Sequence, residues 1–258
     1  MKNVIGRIVA FVAAAFFLAA ASAGTANALT FTGANLKGNY SFMLNVWNPD
    51  PGVQQGAILG VVTFDGVNNV SANFTSVYGS AAGPTTATDG SLSGTYVVNS
   101  DGTGTVSFTG GVTIAFEAGG TAAGLSHDMV LYQTGGFADG SVRTGTAVLQ
   151  SVTPKVYRTA NLKGNFPFVE SKWTANPASG AGGGIGMLSF DGKGHVTITG
   201  GVKGTYSLNA DGRGTISYYT GPTYSFAING NSKGIIAVLT SAPDYTGNTV
   251  ITLTGFKQ

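Results

Sequence analysis

An all-β fold, two tandem antiparallel up-and-down barrels of eight strands each, is predicted by three features of the sequence. The first is a duplication: Ala34-Asn-Leu-Lys-Gly-Asn-Tyr-Ser-Phe42 returns as Ala160-Asn-Leu-Lys-Gly-Asn-Phe-Pro-Phe168, an offset of 126 residues. Trp47 falls on Trp173 and Gly60-Val-Val-Thr-Phe-Asp-Gly66 on Gly186-Met-Leu-Ser-Phe-Asp-Gly192 at the same offset. Gly94-Thr-Tyr-Val-Val-Asn-Ser-Asp-Gly-Thr-Gly104 matches Gly204-Thr-Tyr-Ser-Leu-Asn-Ala-Asp-Gly-Arg-Gly214 at an offset of 110, so the second copy is sixteen residues shorter between these blocks. The second feature is short apolar runs of period two, with no helical spacing over a useful length. The third is the regular Gly, Asn and Asp punctuation between them.

Residues 1–28 read as a signal peptide. Lys2 and Arg7 precede an apolar run from Ile8 to Ala21, and Ala26-Asn27-Ala28 has the small-x-small form of an export cleavage site. The run is too short for a durable membrane span. Without cysteine, neither a lipid anchor on a thiol nor a disulfide is available. Cleavage removes two basic residues and no acid, which leaves eleven basic against eleven acidic residues. A neutral chain without Lys/Arg runs has no electrostatic footprint for phosphate backbones, which argues against nucleic acid as a partner. Charged residues make up 9% of the chain, against roughly 25% in ordinary soluble domains, and Gly reaches 41 residues. Such a composition suits an exported protein in the periplasm, outside the cell or at its surface, and keeps an outer-membrane barrel as an alternative.

The remainder divides into a first barrel at 29–151, a linker at 152–158 containing Pro154, and a second barrel at 159–258. In the first copy strands are expected at 36–47, 57–65, 69–79, 93–100, 104–110, 112–118, 126–134 and 140–150. In the second they are expected at 162–173, 184–191, 194–200, 203–209, 214–220, 223–229, 234–241 and 247–257. Val106, Phe108, Ile114 and Phe116 share one parity and Thr105, Ser107 and Thr113 the other, as a strand with one apolar face requires. Short connections make sequence neighbours pair as antiparallel meanders. Eight meandering strands leave two exposed edges unless the sheet closes, and an up-and-down barrel removes both.

Asp65-Gly66, Asp101-Gly-Thr-Gly104, Asp191-Gly-Lys-Gly194 and Asp211-Gly-Arg-Gly214 lie between strand runs and read as hairpin turns. Asn209-Ala-Asp-Gly-Arg-Gly214 resembles part of a calcium loop, but the bidentate Glu that such a loop needs does not follow. Gly38-Asn-Tyr40 and Gly164-Asn-Phe166 resemble the Gly-x-Trp that opens the first strand of lipocalin and avidin-like barrels, which implies a calycin-like cup and carries over no binding residue. The Leu-x-Gly-x-Tyr-x-Phe and Asp-Gly-x-Gly repeats are similar to those of uncharacterised secreted bacterial proteins, which implies export.

Catalytic chemistry finds little support. His127 and His195 fall in different copies without Cys or Glu at ligand spacing, so no metal or cofactor is expected. Glu117 and Glu170 are the only glutamates, one per copy, and offer no carboxylate pair for glycoside chemistry. Gly180-Ala-Gly-Gly-Gly184 lacks the Lys-Ser/Thr of a phosphate loop.

The aromatic residues carry the functional expectation. Tyr40, Phe42, Phe108, Phe116 and Tyr132 in the first copy, and Phe166, Phe168, Tyr218 and Phe226 in the second, are expected inside the barrels, with Glu170 at a more polar end of the second. The leading reading is an exported, non-enzymatic tandem barrel that binds a small apolar ligand or a surface partner. A sixteen-stranded outer-membrane barrel is the second reading, because alternation alone does not tell a core from lipid. A barrel-type isomerase or cyclase is the third.

Overall fold

The computed structural model of the protein describes residues 30–48, 55–80, 83–122, 124–136, 141–152, 155–174, 182–241 and 249–258. The first repeat forms β1 (Lys37–Trp47), β2 (Gln55–Asp65), β3 (Asn69–Ser80), β4 (Gly83–Val98), β5 (Thr103–Phe108), β6 (Thr113–Ala122), β7 (Leu125–Gly135) and β8 (Val142–Leu149). The second forms β9 (Lys163–Thr174), β10 (Gly182–Asp191), β11 (His195–Ile198), β12 (Lys203–Leu208), β13 (Arg213–Tyr218), β14 (Thr223–Asn229), β15 (Gly234–Ser241) and β16 (Thr249–Phe256). Each set is a closed antiparallel barrel in which sequence neighbours pair. The first closes through β1 on β8, with Tyr40 opposite Leu149, and the second through β9 on β16, with Glu170 opposite Leu253. The sixteen strands therefore do not form one ring, which overturns the single large barrel considered above.

Strand positions follow the apolar alternation, with one clear departure. β4 begins at Gly83, ten residues before the expected start. Its added part, Gly83-Pro-Thr-Thr-Ala-Thr-Asp-Gly-Ser91, is polar and Gly-rich and shows no apolar face. It becomes a strand because β3 offers a complementary ladder, with Tyr78 opposite Thr86 and Thr75 opposite Asp89.

The turns rest on the aspartates. The Asp65 carboxylate accepts backbone N–H groups from Val67 at 2.8 Å and from Asn68 and Asn69 at 3.0 Å. Asp191 does the same for Lys193 at 2.6 Å and His195 at 3.0 Å. These bonds, that from Val67 foremost, hold the Asp65 carboxyl below the usual carboxylate range.

One end of each barrel is stopped by a short 3-10 turn and an aromatic cluster, and both copies build this end the same way. Gly38 and Gly164, at the starts of β1 and β9, have φ of 119° and 120°, a region that a side chain would strain. The bend brings Gly33–Asn35 and Thr159–Asn161 over the barrel ends. In the first barrel Phe64 meets Tyr40 and Tyr96 edge-to-face at 5.6 and 5.0 Å, and in the second Phe190 meets Phe166 and Tyr206 at 5.5 and 5.0 Å. The Tyr96 hydroxyl donates to the carbonyls of Gly33 and Leu36, and the Tyr206 hydroxyl to those of Thr159 and Leu162.

The barrels pack against each other along an apolar seam. Ala57, Leu59 and Val61 of β2 and Val77 of β3 face outward, yet are buried against Ala227, Ile236, Val238 and Val250 of the second barrel, with Met43 and Trp173 at the margins. Burial on both faces explains the uninterrupted apolar runs Ala57-Ile-Leu-Gly-Val-Val62 and Ile235-Ile-Ala-Val-Leu239. Hydrogen bonds extend the joint. Gly230 N–H donates to Leu149 O, Gln150 Nε2 to Ile228 O at 3.1 Å, and buried Tyr157 to Gln150 O through its hydroxyl at 3.1 Å and to Ala210 O through its N–H at 3.0 Å.

Burial, together with the nearby Asp65 carboxylate, raises the Tyr96 hydroxyl from its ordinary value of 10.0 to about 12. Because the folded value lies above the unfolded one, this stabilisation is fully present below about pH 10 and is lost as pH rises toward 12. The midpoint of urea unfolding should therefore fall steeply across that window. Tyr96→Phe should cost about 1 kcal/mol at neutral pH and weaken the alkaline dependence.

Candidate functional site

The interior of the first barrel is not filled to its full depth. Above the aromatic cluster lies a cavity of about 180 Å³ whose wall is almost wholly apolar. Register explains how it forms. On β1 the inward positions are Tyr40, Phe42, Leu44 and Val46, and on β8 they are Leu149, Ala147, Gly145 and Arg143. Small residues on β8 thus stand beside large ones on β1. β3 runs on past Ala72 through the inward positions Phe74, Ser76 and Tyr78, which raise the wall on that side. The Tyr78 ring lies against Gly56, where an added Cβ would meet Tyr78 Cδ1 at 2.6 Å, so Gly56 gives the ring its place.

The polar groups gather at one level of this wall. Arg143, Val46, Gly56 and Tyr78 are lateral neighbours across four adjacent strands, close to where β1 and β3 end and β2 and β8 begin. Arg143 Nε donates to Ser141 Oγ at 3.2 Å. Ser76 Oγ donates to Thr88 O at 3.2 Å, and the buried Gln133 donates from Nε2 to Gly135 O at 2.9 Å. Among the described residues lining the cavity, Arg143 alone is charged.

The expected interior residues fall into distinct places. Phe42, Phe108 and Phe116 line the cavity. Tyr40 is fully buried at the stopped end, where its hydroxyl donates to Ser126 O at 2.9 Å. Burial drives that hydroxyl far above its ordinary range. Tyr132 is a correction: it stands on the outer face, 48% exposed, because it alternates with the inward Leu131 and Gln133. Both parities of β7 are apolar, and the pairing of Leu131 with Phe116 decides between them.

In the second barrel Phe166 and Phe226 are fully buried, while Phe168 and Tyr218 are nearly so. Phe168 lies across Gly186, and Tyr218 meets Tyr224 edge-to-face at 6.2 Å. Glu170 is half-buried, opposite Gly184 and Leu253. Several positions equivalent to the first cavity carry larger or apolar groups here, while Glu170 stands where Leu44 does. Leu253 takes the place of Gly145, Ile251 that of Arg143, Leu239 that of Gln133 and Tyr224 that of Ile114. The shortened β11 stops at Ile198, the counterpart of Ala72, so Phe74, Ser76 and Tyr78 have no equivalents.

Phe74, Tyr78, Gln133 and Arg143 were not among the residues expected inside the barrel. The signal was present in the sixteen residues that the second copy lacks, because they are the upper halves of β3 and β4.

No protein-family model matches the chain, and no curated protein is similar to it. Among solved structures it is similar to a protein of unknown function from the DUF3598 family of Nostoc punctiforme, at 10% identity and a TM-score of 0.30, covering 88% of this chain and 98% of that one. It is also similar to a porin-like protein from Bacteroides uniformis, at 6% identity and a TM-score of 0.21, covering 87% and 98%.

Phe42 and Phe168 occupy equivalent positions, one beside a void and the other in packed surroundings. Replacement by Ala should cost about 3–5 kcal/mol in each case, with Phe42→Ala at the low end because its ring already lacks contacts on one side. Urea unfolding of the two variants checks the order, and equal costs would mean that the first barrel is as well filled as the second.

Proposed function

We propose that the protein is an exported, non-enzymatic tandem barrel whose first barrel binds one small apolar ligand, while the second braces it. The observation that carries this reading is the cavity of about 180 Å³ in the first barrel. An engineered apolar cavity of about 150 Å³ stays dry and takes up benzene, so a void of this size and lining is a binding site for a compact apolar group.

The division of labour rests on the same duplicated frame carrying two interiors. The second barrel keeps the aromatic cluster and the plugging turn, fills the space above them with Tyr224, Leu239 and Leu253, and offers the outward apolar face that covers β2. The outward positions Thr105, Ser107, Thr144 and Thr146 are exposed and polar, which supports a wall that meets water rather than lipid. The basic start, apolar run and Ala26-Asn27-Ala28 support export with cleavage after Ala28.

Titration of a hydrophobic fluorescent probe into the mature protein should reach saturation at one probe per chain. Phe42→Ala should alter its affinity and Phe168→Ala should leave it unchanged. A probe that does not bind, or that responds equally to both substitutions, removes the assignment to the first barrel. Intact mass of the protein recovered from periplasm or medium should correspond to a chain beginning at Leu29, and a species beginning at Met1 would exclude export with cleavage.

A further inference from the structure

We infer that the ligand of the first barrel is a neutral, one-ring compound with a hydrogen-bond donor, a hydroxyl or a ring N–H, which it gives to Gln133 Oε1 while its ring lies against Ile114, Phe116 and Leu131. This rests on the reading of the cavity as a ligand site and adds the chemical class of what enters it.

Gln133 is 3% exposed and lies on the cavity wall. It shares the inward parity of Met129 and Leu131, and Ile114 of β6 is its lateral neighbour. One end of its carboxamide is committed, because Nε2 donates to Gly135 O at 2.9 Å. A carbonyl only accepts, so the nitrogen must face it and Oε1 is turned the other way. Among the described residues no N–H or O–H donates to Oε1. Nor is this oxygen sealed within protein, as the unpaired Gln150 Oε1 is at the joint between the barrels, so it is open to the cavity. The neighbouring polar groups do not supply the donor: Arg143 and Tyr78 have partners of their own, and Ser76 gives its proton to Thr88 O. A buried acceptor without a donor is costly, and a ligand that brings one removes the cost.

The carboxamide is not needed to shape the strand. β6 and β7 shift register between Thr113 and Ile114, beside Gln133, and β14 and β15 shift at the equivalent point between Thr223 and Tyr224, where Leu239 stands in its place. Leu239 is buried in the second core and its side chain makes no hydrogen bond, yet the irregularity is the same. The second barrel has polar groups of its own in Glu170 and Lys172, but these lie on β9, where β1 carries Leu44 and Val46. Charge and size narrow the class further. Among the described residues lining the cavity none is acidic and Arg143 is basic, so a cationic donor finds no counter-charge there. A carboxylate head brings no proton for Oε1. The volume of about 180 Å³ suits about one ring with a short substituent.

The test is calorimetric titration of the mature protein with p-cresol, anisole and p-xylene. The first two are isomers of which only p-cresol has a donor, and p-xylene puts a methyl group in place of the hydroxyl. p-Cresol should bind at one per chain, about tenfold tighter than anisole. Gln133→Leu, which installs the residue of the second copy, should bring p-cresol down to the level of anisole and leave p-xylene bound at least as tightly as by the wild type. Equal binding of the two isomers by the wild-type protein, which depends on no variant's folding, overturns the donor assignment and leaves the cavity reading standing. A preference for p-cresol that survives in Gln133→Leu overturns Gln133 as its acceptor. Failure of all three compounds and of the hydrophobic probe overturns both readings.

Discussion

Everything in this molecule hangs from a tyrosine hydroxyl that reaches through an aromatic cluster to the backbone of a 3-10 turn. Tyr96 and Tyr206 each donate to two carbonyls of the turn that stops their barrel, and each stands edge-on to the phenylalanine that touches the first strand's aromatic residue. An edge-to-face ring pair adds about 0.5–1.5 kcal/mol beyond its buried area, and a hydroxyl that finds a partner avoids the penalty of an orphaned polar group. The same side chain thus fixes one end of the barrel and anchors the chain that enters it. Gly38 and Gly164 make the geometry possible, and Tyr40 or Phe166 two residues later completes the cluster. The most strongly repeated blocks of the sequence are the ones that build this end.

Repetition of a stopped end leaves the other end free to differ. The seam shows a second use of duplication, because two barrels of common ancestry need not bury the same outer strands. The first barrel offers β2 and β3 and the second β14, β15 and β16. The contact is thus between different faces of two similar bodies, and each apolar face is covered once. A fully buried Val, Leu or Ile contributes roughly 1.5–3 kcal/mol, so this joint adds appreciably to what each small barrel could bury alone.

Legibility in the sequence followed the same division. Strand number, order and closure were readable because turn residues and period-two alternation are local, and because duplication gave each reading twice. β4 was read ten residues short because Pro84-Thr-Thr-Ala-Thr-Asp-Gly90 contains no apolar face, and its strand state comes from β3 alone. Tyr132 was placed inside because β7 alternates two apolar parities, and only the partner strand reveals which one faces the core. Arg143 was not among the residues expected inside the barrel. Its parity with Ala147 and Leu149 pointed inward, but that inference needs the register of β8 on β1. The seam was invisible in kind, since a continuous apolar run has the same form whether its second face meets a sheet, a membrane or a sister barrel.

The cavity is best understood through its energetic cost. A void in a packed interior costs stability in proportion to its volume, so a barrel hollowed as the first is gives up part of the about 5–15 kcal/mol that holds a typical domain together. The second copy closes the same frame with Leu239, Ile251 and Leu253 where the first has Gln133, Arg143 and Gly145, so the void is not imposed by the fold. Burial of two or three aliphatic side chains in the seam offsets it, and Leu59, Val61, Val77, Ile236, Val238 and Val250 are available for that purpose. The hollow barrel is thus tolerable because a solid one is fastened to it. The residues that keep it hollow are Gly145 and the raised wall of β3, and in these features the two copies part.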